Sequence, residues 1–525
     1  MGVVVEAFKT LVSTGGGSEV VQLKLIQCVV TLVTVVGVSG KLLSSCLSLC
    51  FKLYQKKDSK SVSVAPTASA SLRQLFSMIF DQSASFFFPP KSNSSSSSSP
   101  PSPQEIVLER IESVEELPES VGDAYRLLVD LCLMASGEAA TYLGVEGVES
   151  TFSLELIECL LSSTTSPLFI HCKPFRRLIK DRLCPFLFEA FKTKSDFRTL
   201  SRVFKIISLL ISFLHPLLVT FSSFLSLLFS YYSKKKVAET EVFISKLIKT
   251  LDSESALWVD TLILEVLEEL VSSPSLLFLF YTKYDLHNSN SEAELLFKNL
   301  VQALGRYAQL AYTWSEDLSS SKKQVRYLEQ SNLLEAPPID KSYLSSLIVQ
   351  AFLSTVDSFT SLFLSHCKHL SPTSPSLLPP TSPSPSSLRK GVEGKGGGLS
   401  EEEGERRVKG MVQTCWPSLM ASFSMFLGKA SDALQIQQIL NAHLSLFHIC
   451  GTLSLSTPAI AFLTSITNHA LPSSTSASST SPNNPSSAKK PKKKSDQTEM
   501  QCILFNLLLL NLSLPFLTQT LFKNF

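Results

Sequence analysis

The chain has 525 residues, enough for several domains with sizeable cores. It is 44% hydrophobic, with a mean hydropathy of +0.20, and 47 Lys+Arg against 45 Asp+Glu leave a formal net charge of +2. That balance argues against a global field drawing in nucleic acid, and 11 scattered cysteines with no CxxC pair suit reduced, buried thiols better than a disulfide framework.

The N-terminal stretch "MGVVVEAFKTLVSTGGGSEV" is a poor secretory signal: it lacks a basic n-region, and Glu6 and Lys9 break its apolar run. Glu6 also stands where N-myristoylation favours Ser or Thr. Three Ser/Pro-rich tracts then punctuate the chain. They run from Pro89 to Gln104, from Ser371 to about Gly410, and from Pro472 to about Glu499. Such tracts bury too little apolar surface to offset ordering entropy and read as disordered linkers. Between them the periodicity is helical. "DAYRLLVDLCLMA" places Ala124, Leu127, Leu128 and Leu131 mostly on one face. "LWVDTLILEVLEELV" sets Trp258, Leu262 and Val266 against acidic residues expected opposite. Helices joined by short polar or Pro breaks predict an all-α fold. Its helices would stack antiparallel as an armadillo/HEAT-like α-solenoid, interrupted by the disordered linkers.

The run "FKIISLLISFLHPLLVTFSSFLSLLFSYYSKKK", Phe204 to Lys236, has no charge between Ile206 and Ser233. Its length allows a membrane span. Pro216, His215 and many Ser/Thr residues weaken that reading, and Pro216 is expected to interrupt the helix.

No P-loop, GxSxG, HExxH or kinase signature occurs, and no catalytic residue, cofactor or metal ligand set is assigned. His366, Cys367 and His369 make a zinc-like cluster without a fourth donor, more simply read as a helix end. His443 and His448 read as core histidines. The helix around Arg176 and Lys180 offers a solvated face or a surface for acidic lipid or a partner. "KKPKKK", Lys489 to Lys494, has the look of an import signal or of a solvating run.

Several stretches, in order, carry a resemblance. "TASASLRQLFSMIFD" (Thr67 to Asp81) resembles the signature helix of the dimerisation and cyclophilin-binding domain of large Arf-GTPase exchange factors. "DAYRLLVDLCLMASGEAATYL", "TFSLELIECLL" and "PFRRLIKDRLCPFLFEAF" resemble the next helical block. "FYTKYDLHNSNSEAELLFKNLVQALGRY" is similar to the box of the homology-upstream-of-Sec-seven domain. "WPSLMASFSMFLGKASDALQIQQILNAHLSLFHICGTLSLSTPAIAFLTSITNHALP" is similar to the first homology-downstream block. In exchange factors a catalytic Sec-seven domain separates those two blocks. Here the interval is Ser371 to about Gly410, at the limit of about 40 residues below which a chain rarely buries enough core to fold alone. The arrangement resembles the monensin-sensitivity (Mon) family of trafficking scaffolds, which lack that catalytic core.

The resemblance implies a domain order. A partial dimerisation domain occupies 1–82, a linker 83–104, and the upstream block 105–370, with 221–238 as an insertion. A second linker spans 371–410, the downstream helices 411–471, and a basic linker 472–499. The tail at 500–525 is apolar and has no counterpart; with the family longer, the chain reads as a truncated N-terminal portion. The resemblance further implies a non-catalytic scaffold of traffic between Golgi and endosomes, peripheral on those membranes. Its implied partners are Arf-like small GTPases, a Dopey-type scaffold protein and a second copy, with no nucleic acid. A polytopic membrane protein, using Val21–Val38, Ile206–Ser233 and Ile503–Phe522 as spans, and a fragment of a true exchange factor stay open as alternatives.

Five residues are singled out for partner or interdomain contact: Tyr284, Asp285, Asn288, Arg73 and Gln74. Each has a plainer reading as well. Asp285 precedes turn-forming residues, and Ser291 with Glu294 matches a capping box. Arg73 is able to grip a carboxylate across a helix interface or to stay solvated.

Overall fold

The computed structural model describes residues 2–13, 18–56, 63–87, 111–162, 166–193, 196–220, 238–253, 255–286, 295–314, 325–367, 401–430 and 432–470. These residues form helices and turns, with one isolated bridge between Ala140 and Val145. The all-α expectation therefore holds. The chain divides into two compact units, residues 1–217 with 326–337, and residues 218–325 with 338–525.

The first unit opens with α1 (Gly2–Ser13), α2 (Glu19–Thr31) and α3 (Gly40–Gln55). Helix α2 continues as a π turn, Leu32–Val36, and stops at Gly37, whose φ of 68° is the left-handed conformation that ends a helix without cost to glycine. Next come α4 (Val64–Phe87), α5 (Glu119–Ala135) and α6 (Ser150–Ser162). The rest of the unit is α7 (Ser166–His171), α8 (Lys173–Leu178), α9 (Cys184–Lys192) and α10 (Phe197–Thr220). A second π turn, Ile179–Leu183, joins α8 to α9. Helix α4 packs on α2, α3, α5 and α6. Phe51 sits edge-on to Phe76 and Phe152, each at 6.2 Å, so α3, α4 and α6 share one aromatic core. Fully burying such a ring is worth about 1.5–3 kcal/mol.

Polar contacts reinforce the same junction. Gly40 N donates to Asp123 Oδ2 at 2.6 Å, and Tyr142 Oη donates back to Gly40 O at 2.7 Å. These bonds join the segment expected as a first domain to the first half of the next block. The division between the two compact units falls near Leu217.

The second unit contains α11 (Ala238–Leu251), α12 (Leu257–Val271), α13 (Pro274–Phe280), α14 (Leu296–Trp314), α15 (Lys341–His366), α16 (Glu401–Lys429), α17 (Ala433–Thr452) and α18 (Ser456–Ala470). Pro274 opens α13 at a position whose N–H has no partner in any helix. Asp340 caps α15 by accepting from Ser342 N at 2.9 Å, and Asp432 caps α17 through Leu434 N. Helix α15 packs on α12, α14, α16 and α17, and α16 on α14 and α18. Phe352 meets Phe423 and Phe426 edge-on at the α15–α16 contact.

Several boundaries differ from the sequence reading. Helix α4 runs past 82 to Phe87, and α16 begins at Glu401, inside the stretch read as linker to 410. "EEEGERRVKGM" is polar and glycine-bearing, yet its Val408 and Met411 are buried, which outweighs the composition. Helix α10 continues through Pro216, because a proline removes one ladder bond without obliging the helix to stop. Two of the acidic residues of α12 do not face away: Asp260 and Glu265 are buried, each accepting from a tyrosine. Among the described residues, two helices are long and apolar enough to cross a membrane: Glu19–Val36, overlapping the expected span at Val21–Val38, and Lys341–His366, of which 67% is buried in the fold. Residues 221–237 of the long apolar run, the 472–499 linker and the tail lie outside the described residues.

Candidate functional site

Two clusters built on buried charge stand out, one in each unit. In the first unit, Arg202 lies on α10 with only 2% of its surface exposed. Its Nη1 donates to Glu158 Oε2 at 3.0 Å, and its Nη2 donates to Glu155 Oε2 at 3.0 Å and to Asn332 Oδ1 at 2.8 Å. Glu155 and Glu158 are three apart on α6, so both point the same way. The other oxygen of Glu155 accepts from Arg73 Nε on α4 at 2.5 Å. One carboxylate thus ties together arginines from two helices, one on each of its oxygens. Burial pushes the Glu158 carboxyl above its ordinary range, outweighing the opposing pull of Arg202 and Lys205. Asn332 belongs to a short return segment of this unit, in which a 3-10 turn (Tyr327–Glu329) buries Tyr327 and Leu328.

In the second unit, α13 ends in a third π turn, Tyr281–Asp285. Such turns re-aim the side chains that follow. Asp285 is buried, and its two oxygens accept from Phe297 N at 2.9 Å and Lys298 N at 3.0 Å. These are donors of the first turn of α14, which no intrahelical carbonyl reaches. Asp285 therefore caps α14 from a distant point in the chain, with its negative charge at the positive end of the helix dipole. Burial raises its carboxyl above the ordinary range, and the two N–H groups work against that. Tyr284 is also buried, its ring 5.6 Å from that of Phe280, with Lys283 Nζ 5.2 Å from its own. Tyr281 reaches α16 where Gly410 leaves room: a Cβ on Gly410 would overlap the Tyr281 hydroxyl.

The sequence-selected residues fall as follows. Tyr284 and Asp285 come together, turned into the second unit to brace its own helices instead of facing outward. Asn288, with Ser291 and Glu294, lies outside the described residues. Arg73 makes its contact across a helix interface, to the block expected as the next domain. Gln74 is exposed beside it. Arg202, Glu155 and Glu158 were missed. Their available signal is a pair of like charges inside an apolar helix, as in "SRVFKIISLL" and "FSLELIECLL".

The histidines are structural in setting. His366 stacks on Phe278 at 4.7 Å, Cys367 is buried, and His369 lies outside the described residues. His443 is fully buried, its Nδ1 3.1 Å from Ile439 O, and burial lowers its pKa to about 4. Among the described residues no group of three or more His, Cys, Asp or Glu is placed to hold a metal. Both clusters hold helices in register; neither presents a nucleophile with a base.

Comparison with known proteins places these helices. Residues 1–85 match the family model of the dimerisation and cyclophilin-binding domain of Mon2/Sec7/BIG1-like proteins. Residues 120–220 and 214–293 match that of the HUS domain of the same group. The chain is therefore a helical protein of the Mon2/Sec7/BIG1-like class, with its first two domains in order. Within that class the relatives it matches are Mon2 homologues. It is 25% identical to the human "Protein MON2 homolog" over 509 residues, 86% of this chain and 29% of the relative. The Drosophila melanogaster homologue is 23% identical over 87% of this chain and 27% of its own length. "Monensin-resistant homolog 2" of Caenorhabditis elegans is 30% identical over 49% of this chain and 16% of its own. The chain thus spans less than a third of the length of these relatives. No solved structure matches it.

Proposed function

We propose that this chain is a non-catalytic scaffold of vesicle traffic between Golgi and endosomes, related to large Arf exchange factors. The observation that carries this reading is the colinear pair of family domains, followed directly by further helices. The interval between His366, which ends α15, and Glu401, which begins α16, is shorter than the sequence boundaries implied. It falls under the size of about 40 residues at which a chain begins to support its own core, so a Sec7 catalytic domain does not fit there. The scaffold works by presenting helical faces to Arf-like GTPases, to a Dopey-type partner and to a second copy of itself, while resting peripherally on the cytoplasmic side of the membrane. The name of the N-terminal domain, which includes dimerisation, supports the self-association.

Two assays test it. Purified chain added to a GDP-loaded Arf protein should leave the rate of nucleotide release unchanged; a clear acceleration overturns the non-catalytic reading. Carbonate extraction of membranes carrying the chain should release it into the supernatant. Retention in the pellet overturns peripheral attachment and favours an integral protein.

A further inference from the structure

Helix α2 and its π extension are anomalous for a helix on the outside of a unit. Their mean hydropathy is 1.8, yet only 28% of their residues are buried. One face does the packing: Leu25, Ile26 and Val29 are buried in the unit, with Val33 continuing that side into the π turn. The opposite face stays in solvent. In order it carries Val20, Lys24, Gln27, Cys28, Thr31 and Val35. Val20 is 65% exposed and Val35 77%. Isolated exposed valines are ordinary. Two at the ends of one continuous stripe, on a helix this apolar, are a pattern.

The stripe is symmetrical about its own midpoint, between Gln27 and Cys28. Laid antiparallel on a second copy of itself, Val20 meets Val35, Lys24 meets Thr31, and Gln27 meets Cys28. Both ends then bury valine against valine. The lysine meets a neutral hydroxyl-bearing residue, so no like charges are opposed at the one charged position. A two-fold axis requires this self-complementarity, because the same patch must serve both partners. The alternative parallel alignment puts Lys24 against Lys24, which is repulsive.

We propose that the exposed face of α2, from Val20 to Val35, is the surface through which two copies of this chain pair, antiparallel about the Gln27–Cys28 midpoint. This rests on the self-association named under Proposed function and specifies its surface and register. A single helix pair lies at the small end of interfaces, below about 1,200 Å2, so the dimer forms and dissociates with concentration. At the usual helix separation of about 8–10 Å, the register sets the two Cys28 side chains close together at the axis. Cys28 is the one cysteine among the described residues that is exposed, which makes it a reporter.

The test uses the full chain in analytical ultracentrifugation across a concentration series, with a short bis-maleimide cross-linker. Wild type should move from 57.7 kDa toward twice that mass and give a cross-linked dimer that Cys28→Ser removes. Val20→Glu with Val35→Glu should leave the chain monomeric, because antiparallel pairing opposes the new carboxylates. Val20→Lys with Val35→Glu should restore the dimer, since lysine then faces glutamate at both ends; parallel pairing would keep it apart. Both positions are exposed, so an unchanged helical circular dichroism confirms folding in each variant. A dimer indifferent to Val20→Glu with Val35→Glu overturns this surface and leaves self-association standing. A wild type that is monomeric throughout overturns both. Loss of flotation with phosphatidylcholine vesicles in the double-glutamate variant, at unchanged mass, assigns the face to lipid and also overturns the proposal.

Discussion

The two units bury charge in opposite ways. Around Arg202 the charge is balanced by charge: one guanidinium, two carboxylates, and Arg73 at the margin. Around Asp285 a single carboxylate is balanced by two neutral backbone donors and a helix dipole. The first arrangement is robust only when complete, since removing one ion leaves its partner desolvated and uncompensated. The second fails more gently, because the orphaned N–H groups cost only the loss of a cap. A buried ionic cluster is thus a stricter constraint on the fold than a buried cap.

Arg202→Met should break this comparison most severely. It strands Glu158 and leaves Glu155 with Arg73 alone, and should cost about 3–5 kcal/mol, read as a fall in the urea midpoint of the first unit. Replacing both glutamates by Gln in the same chain should recover part of that loss. Gly410→Ala comes next, at about 1–3 kcal/mol, through overlap with the Tyr281 hydroxyl. Adding Tyr281→Phe should relieve it; no relief would mean that the helix backbone, not the hydroxyl, resists the methyl group. Asp285→Ala should cost about 1–2 kcal/mol and raise amide exchange at Phe297 and Lys298 while leaving the first unit unchanged.

The smallest effect sharpens the electrostatic side. Asp260, buried and accepting from Ser255 and Tyr307, has its carboxyl raised above the ordinary 3.8 by burial. A raised folded value means that its stabilising contribution is fully present below pH 3.8 and is lost as the pH rises from there through the higher value of the folded state. Wild type should therefore gain on Asp260→Asn as the pH falls through that window, with the two curves parallel at neutral pH. Thermal midpoints of both proteins from pH 3 to pH 7 check it.

The helices were legible because their apolar periodicity is local. "DAYRLLVDLCLMA" needs no tertiary partner to declare its buried face. The faces of α12 were not legible in the same way. Asp260 and Glu265 look like solvent-facing acids until Tyr307 and Tyr343, far along the chain, supply their hydroxyls. Arg73 was recognisable as a residue able to cross an interface, but its carboxylate is 82 residues away. Asp285 was recognisable as a capping residue, while the turn expected to use it was the next one, not α14. The division near Leu217 was invisible, since no linker composition marks it. Boundaries were misjudged at 82 and 410 for the converse reason: polar composition there masked helices held by a few buried side chains.

The return segment carries a consequence for how the protein is made. Residues 326–337 complete the first unit, supplying Tyr327, Leu328 and the amide of Asn332 that Arg202 holds. Everything from 218 to 325 is synthesised before them. A chain emerging from the ribosome therefore cannot finish its first unit when residue 217 appears; it must wait until 337 has cleared the exit tunnel. During that interval Arg202 lacks one of its partners. Expression fragments cut near 217 would freeze the protein at that unfinished stage, whereas fragments ending after 337 would not.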